Sequence, residues 1–391
     1  MSPPRPASQA GRRVLYLSAP VEPPWTRSDK NLVRGVAANL RHYHGCVLTH
    51  AGVTLAEPNI ETEGAWGPRG PEDTPLGRRI GLFGQLIGQN ETAIAHLFWP
   101  ADFLVANIVR TAARMRGIPV IHTLVRAPRT TVGIKRALAG SPVVCLTQET
   151  QHRLIAEGVQ NTLWVPPGIT LHPPIPDGDK AGIRRKYRIP LDEAVVMYAG
   201  DYRHSNAART FAAAMPRILR QTDCHFVLAC RIRNDADREE EARIKEAIAA
   251  DGIAHHVTFL NEVSSLREIF AIAAVQVFPA DSHHEKMDLP MVLLEGMAAG
   301  VATVVAQKPP LTELVQANVV LGVPPMNPVA LAVAVAELLR NDERRLQLGE
   351  AGQKHVKTRH DIKLIAERYE EMYDELLAVS LRPRSGAWGI A

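Results

Sequence analysis

The stretch Asp288-Leu289-Pro290-Met291-Val292-Leu293-Leu294-Glu295-Gly296-Met297-Ala298-Ala299-Gly300 decides how this chain is read. Pro290 sits where a first helical turn tolerates proline, and Gly300 sits where helices commonly stop, so a helix is expected between them. Every residue inside it is apolar or small except Glu295. A helix apolar on all sides is a buried helix, and a carboxylate there is costly unless something hydrogen-bonds it. A carboxylate accepts two hydrogen bonds side by side, so a vicinal diol such as a nucleotide ribose is a good partner. The helix start is an anion site for a diphosphate, with the backbone N–H groups of Met291 and Val292 as donors. The competing reading is a core helix whose Glu295 binds neighbouring backbone.

Just upstream, Val275-Gln276-Val277-Phe278-Pro279 reads as a buried strand, and Asp281-Ser282-His283-His284-Glu285-Lys286 as a polar loop. The same strand-then-helix rhythm runs outward in both directions. Apolar strands are expected at 13–18, 93–98, 120–123 and 142–146, then at 194–200, 225–230, 256–260 and 302–306, with helical stretches between them. Such alternation implies parallel sheets covered by helices on both faces. Residues 56–78, rich in Pro, Gly and Glu, read as a long loop, and 342–377 as helical.

At 391 residues the chain exceeds what one core usually serves. A Pro-rich and then basic stretch at 170–190 marks the expected junction. The organisation read from the sequence is a disordered tail at 1–11, a first domain at 12–190 and a second at 191–365. A C-terminal helix and tail at 366–391 are expected to pack back on the first domain. The fold class is α/β, two doubly wound Rossmann-like domains facing a cleft, since ligands in such sheets bind at the carboxyl ends of the strands.

A hydrophobic content of 46% with 22% charged residues is that of an ordinary globular chain. No apolar run reaches the roughly 18 residues of a spanning helix. Cys46, Cys145, Cys224 and Cys230 lack metal-ligand spacing and read as buried thiols of a reducing cytosol. The expected location is cytoplasmic, with peripheral association at the cytoplasmic membrane face open. Residues 1–190 hold 23 Lys and Arg against 13 Asp and Glu, a net of +10, and the remainder 22 against 28, a net of −6. A basic first half can draw in an anionic or membrane-associated acceptor. Nucleic acid is disfavoured, because no basic run interleaves aromatic residues. No Asp, Glu or His cluster has metal spacing, so neither a metal nor a bound cofactor is expected.

The segment 288–305 resembles the donor-site signature of retaining glycosyltransferases of the GT-B fold, glycosyltransferase family 4. Pro166-Pro167-Gly168-Ile169 is similar to that family's Pro-Asn-Gly-Ile/Val turn before the interdomain linker. Phe259-Leu260-Asn261-Glu262-Val263 is similar to its Phe-x-Gly-x-Val element, which implies that Glu262 and Val263 lie against the nucleobase. The strands bearing His96 and His122 resemble its two histidine-bearing strand ends, which implies that both rings lie near the transferred sugar or the acceptor. Trp25 is the corresponding candidate in the loop after the first strand.

Three departures from that pattern stand out. The position eight residues before Glu295, often Glu in the family, is Met287. The family's Gly-Arg, with a Lys five residues further on, is replaced by Gly200-Asp201 with Asn206. The loop after the first strand lacks a Gly-Gly pair.

The resemblance implies transfer of a sugar from a nucleotide diphosphate donor to an acceptor hydroxyl or amine, and the departing diphosphate then requires cations. Arg231, directly after the strand ending at Cys230, and Lys286, in the loop before the helix, are assigned that task, with Arg203 as a third candidate. Gly200 lies at the same strand end. Asp288 is assigned to helix capping, or alternatively to the donor. Two other readings share the architecture. One is a nucleotide-sugar 2-epimerase, which needs a pair of acid/base carboxylates; the other is a degenerate copy that binds without turnover.

Overall fold

The structure, a computed structural model, describes residues 12–67, 70, 74–88, 91–261, 263, 265–282 and 286–380. The expected tail at 1–11 and the candidate Glu262 lie outside the described residues.

Two parallel sheets organise the chain. The first contains β1 (Arg12–Leu17), β2 (Tyr43–His50), β3 (Ile60–Trp66), β4 (Thr92–Trp99), β5 (Val120–Leu124), β6 (Val143–Cys145) and β7 (Thr162–Trp164). Their order is β3-β2-β1-β4-β5-β6-β7. The second contains β8 (Val195–Asp201), β9 (His225–Arg231), β10 (Val257–Leu260), β11 (Val275–Phe278), β12 (Ala302–Ala306) and β13 (Leu321–Val323), in the order β10-β9-β8-β11-β12-β13. The central strands are apolar along their length, as the buried run Val195 to Ala199 shows, because helices cover both faces of a parallel sheet. In each sheet the strand order reverses once, between β1 and β4 and between β8 and β11. These reversals are the topological switch points of two Rossmann-like domains.

The described residues up to Gly168, with those from Ile362 onward, form one compact unit, and Ile169–Asp361 form the other. The junction expected at 190 therefore falls earlier. Ile183, in the helix Asp177–Lys186, and Ile189 pack with Val195, Met197 and Ile269 in the second core, so the basic stretch is an amphipathic cover and not a linker. The return falls at Asp361–Ile362, just before the helix Ile362–Ser380 of the first unit.

The region 56–78, expected to be a loop, contains β3 at the sheet edge. Ile60 and Trp66 are buried, while Glu61 and Glu63 between them are half-exposed. Charged residues on an edge strand are ordinary protection against pairing with another chain, and they hide the strand from a search for apolar runs.

The deciding segment forms the helix Met291–Ala298, with Met291, Leu293, Leu294, Gly296 and Met297 buried. It ends as the sequence predicts. Gly300 has φ +80°, its N–H donates to the Met297 carbonyl at 2.9 Å, and the Val301 N–H donates to the Gly296 carbonyl at 3.1 Å. This pair of bonds is a Schellman closure, and the left-handed backbone it needs favours glycine. All four cysteines are buried, and no described helix is long and apolar enough to cross a membrane.

Candidate functional site

At the carboxyl ends of the central strands in the second unit, charged side chains meet around one carboxylate. Asp201 is the last residue of β8 and lies in register with Arg231, the last residue of β9. Lys286 comes from the loop that follows β11, the neighbour of β8 on the other side. Lys286 Nζ pairs with Asp201 Oδ2, Arg233 Nη2 donates to Asp201 Oδ1, and Arg231 Nη2 lies 3.9 Å from the same oxygen. Asp201 itself is only 12% exposed. Burial alone would raise its pKa, but Lys286 and then Arg233 and Arg231 hold it below the usual carboxylate range. Burial, with repulsion from the two arginines, lowers the pKa of Lys286 despite the Asp201 partner. The cluster straddles the switch point between β8 and β11, where doubly wound sheets bind ligands.

The sequence reading placed Arg231 and Lys286 here and missed Arg233. The signal was present in Cys230-Arg231-Ile232-Arg233, because residues two apart on extended backbone share a side. Arg233 is held by the start of the helix Asp235–Ala250. Its N–H donates to Asp237 Oδ2 at 3.0 Å, and Asn234 caps that helix by accepting from the Asp237 N–H at 3.0 Å. Arg203 is exposed and joins no ion pair among the described residues, so the structure leaves this third candidate outside the cluster.

Asn206 stands where the resemblance would put a lysine, and it does a different job. Its backbone N–H and Nδ2 donate to the Asp281 carboxylate at 2.8 and 2.9 Å, which pins the loop after β11 to the loop after β8. Gly200 sits where a Cβ would lie 2.4 Å from Tyr198 Oη, and that hydroxyl donates to the Asp201 carbonyl at 3.2 Å. A larger residue at this position would push aside the Tyr198 ring and with it the hydroxyl that holds the Asp201 carbonyl. Tyr202 Oη donates to Glu241 Oε1 at 3.2 Å and lies 3.5 Å from Asn261 Oδ1. It thereby ties the end of β8 to the segment that leads to Val263, which is half-buried.

The helix Met291–Ala298 follows the same loop. Met291 is buried, and Gln276 of β11 donates from Nε2 to the Val292 carbonyl at 3.1 Å, fixing the first turn to the sheet. The N-cap position belongs to Pro290. Asp288 is buried, 2% exposed, two residues before Pro290. The Glu295 carboxyl has no hydrogen-bond partner among the described residues, and burial pushes it up to about 7. A carboxylate so placed gains from any hydroxyl that donates to it.

The first unit treats its candidates differently. His122 is fully buried on β5, with the Ala139 N–H donating to Nδ1 at 3.2 Å and Nε2 lying 3.1 Å from the Trp99 carbonyl. Both ring nitrogens are satisfied by backbone, and burial lowers its pKa to about 4. His96 on β4 is also fully buried, with Nδ1 2.6 Å from Tyr373 Oη and Nε2 2.8 Å from Thr123 Oγ1. Neither ring presents a nitrogen to solvent, and a place for either beside a sugar or an acceptor rests on the resemblance alone. Trp25, in the loop after β1, is half-buried beneath the Arg34 guanidinium, 4.0 Å from the ring centroid. Among the described residues no group of three or more His, Cys, Asp or Glu is placed to hold a metal ion.

Comparison with known proteins extends this picture. Residues 179–355 match the family model described as glycosyl transferases group 1. An uncharacterized glycosyltransferase of Methanocaldococcus jannaschii is 28% identical over 164 residues, which is 41% of this chain and 40% of that protein. The chain thus spans well under half the length of this curated relative. Sucrose-phosphate synthase from Thermosynechococcus elongatus superposes with a TM-score of 0.78 at 19% identity, covering 94% of this chain and 100% of the other. The Anabaena HepE structure, in complex with UDP and glucose, superposes with a TM-score of 0.74 at 15% identity over 92% of this chain and 99% of the other. With two parallel sheets, two Rossmann-like domains and the group 1 match across the second of them, the chain is a GT-B fold protein related to the group 1 glycosyl transferases.

Proposed function

We propose that the protein is a retaining glycosyltransferase, similar to family 4, that moves a sugar from a nucleotide diphosphate donor to an acceptor hydroxyl or amine. The observation that carries this reading is the convergence of Arg231, Arg233 and Lys286 at the carboxyl ends of β8, β9 and β11. In the proposed reaction the acceptor oxygen or nitrogen attacks the anomeric carbon on the face the leaving group departs from. The bond from that carbon to the β-phosphate oxygen breaks, and a phosphate oxygen takes the acceptor proton. No side chain acts as a nucleophile. The rate comes from positioning and from charge stabilisation of the leaving diphosphate.

The residues divide the work by chemistry. The two guanidinium forks suit pairs of phosphate oxygens, and Lys286 supplies a mobile point charge. The Met291 and Val292 N–H groups add backbone donors at a helix start. Glu295 accepts the ribose hydroxyls, and Val263 lies on the base. The net +10 of residues 1–190 guides an anionic or membrane-bound acceptor, an attraction that added salt would weaken.

Incubation with UDP-, GDP-, ADP- and dTDP-sugars tests the reading. Slow release of the free nucleoside diphosphate, surviving EDTA, is expected from a metal-independent transferase. An interconverted sugar would instead reveal an epimerase. Nucleotide binding without any release, even with acceptors added, would reveal a binding protein. UDP is the first probe for thermal shift, since the Anabaena structure holds UDP. A ligand at 100 times its dissociation constant stabilises by about 2.7 kcal/mol.

A further inference from the structure

The odd member of the cation cluster is the carboxylate at its centre. Asp201 ends the central strand β8, is 12% exposed, and pairs with Lys286 through one oxygen and with Arg233 and Arg231 through the other. A phosphate-binding site has no evident use for a negative charge at its focus. Among the described residues Asp201 is the carboxylate that all three cations share, while Asp237 accepts from the Arg233 backbone N–H at 3.0 Å. A diphosphate esterified at both ends, as in an intact nucleotide sugar, carries two negative charges. Once the sugar leaves, the terminal phosphate becomes a monoester, and its second ionisation lies near pH 6, so the product carries close to three near neutral pH.

We propose that Asp201 is a positioning and specificity-determining residue of this site, a resident counter-ion that matches it to the intact donor rather than to the nucleoside diphosphate product. This rests on the donor-site reading above and adds a role to it. Asp201 does two things at once. It keeps three mutually repelling cations convergent before any ligand arrives, so their alignment is not assembled at the expense of binding. It also subtracts one unit of charge at the point where the product would otherwise gain most, which favours product departure. Asn206 and Asp281 support this arrangement by clamping the two loops that carry Asp201 and Lys286.

The test compares two dissociation constants on the full-length protein, one for UDP and one for a UDP-sugar, or for whichever base the panel selects. Asp201→Asn is expected to lower the ratio of the UDP constant to the UDP-sugar constant by about tenfold or more, the lower end of what one unit charge a few ångströms away exerts. Stronger product inhibition and a fall in kcat without a matching rise in KM are expected alongside. Asp201→Glu is expected to restore the parent ratio. Arg233→Gln, at a partly exposed position, is expected to move the ratio the opposite way and gives a reading even if Asp201→Asn fails to fold. Parallel weakening of both ligands in Asp201→Asn, or an unchanged ratio in Arg233→Gln, would overturn the proposal while leaving the donor site intact. If the parent binds neither ligand with any base, the donor-site reading itself fails.

Discussion

Two polar clusters stand at comparable places in the two units, and they are built on opposite principles. In the first unit His96, Thr123, Tyr16, Tyr369 and Tyr373 form a closed network. Tyr16 Oη and Tyr373 Oη are 3.0 Å apart, Tyr373 Oη lies 2.6 Å from His96 Nδ1, His96 Nε2 lies 2.8 Å from Thr123 Oγ1, and Thr123 Oγ1 lies 3.2 Å from Tyr369 Oη. All five residues are fully buried. In the second unit Asp201 faces three cationic side chains, and Arg231, Arg233 and Lys286 remain 34%, 37% and 29% exposed. A buried polar group with every partner in place is structural. Like charges gathered at the open ends of strands are costly to hold together, and charged groups with shifted pKa values cluster at functional sites.

The sharpest way to break this contrast is to remove the cations. Removing one preorganised charge-stabilising donor typically costs about 100- to 1,000-fold in turnover. Arg231→Ala and Lys286→Ala are each expected to lose at least that much while circular dichroism stays native, and Arg231→Lys should recover little because the fork is lost. Near-parental turnover in both alanine variants would place the phosphate site elsewhere.

Glu295 offers the next largest effect. Loss of hydrogen bonds to a charged group costs about 1.5–3 kcal/mol, so calorimetry should find nucleotide diphosphate binding weakened by about that amount in Glu295→Ala. A pH signature accompanies it. Burial pushes the free carboxyl up to about 7, whereas ribose hydroxyls donate to the ionised form. Binding therefore releases a proton near neutrality, and affinity should rise as pH increases from 6 to 8. Glu295→Gln should flatten that rise, and a slope that persists in the variant would assign the proton to another group.

In the closed network the expected loss is of stability and not of chemistry. Tyr373→Phe removes the hydroxyl shared by Tyr16 and His96 and leaves buried groups unsatisfied, at about 1–3 kcal/mol. The denaturation midpoint should fall while turnover per folded molecule holds. A fall in turnover without a stability change would mean that this network reaches the chemistry after all.

The smallest effect is the pH dependence of that stability. His122 is lowered to about 4 and His96 well below its usual value, both by burial. Their folded-state pKa values lie below the unfolded ones, so the unfolded chain binds more protons between them. The stabilisation is complete above about 6.5 and drains away as pH falls toward 4. Urea midpoints that stay level across this window would show that both rings can take up a proton without disturbing the fold.

The legibility of the chain divides along the same line. The helix Met291–Ala298, its glycine stop, the central strands other than β2 and the cations Arg231 and Lys286 were readable, because each is a local pattern of apolar runs, turn residues and charges near strand ends; β2 was not among the expected strands. β3 was not, since an edge strand needs only one buried face and Glu61 and Glu63 interrupt its apolar signal. The junction was set too late, because the apolar stripe of the helix Asp177–Lys186 rests on the single buried residue Ile183 amid charge.

For the histidines, sequence order put His96 and His122 at strand ends but could not say which way the rings faced. What surrounds them comes from Tyr369 and Tyr373, more than 240 residues along the chain, and from the backbone of Trp99 and Ala139. The sequence by itself determined the alternation of strand and helix and the charge types at the carboxyl ends, since both follow from nearest-neighbour chemistry. Only the tertiary structure decided that Asp201 sits among the cations and that Arg233 joins them. It alone decided, too, that the histidines are sealed, because burial and electrostatic partnership depend on which distant segments fold over a residue.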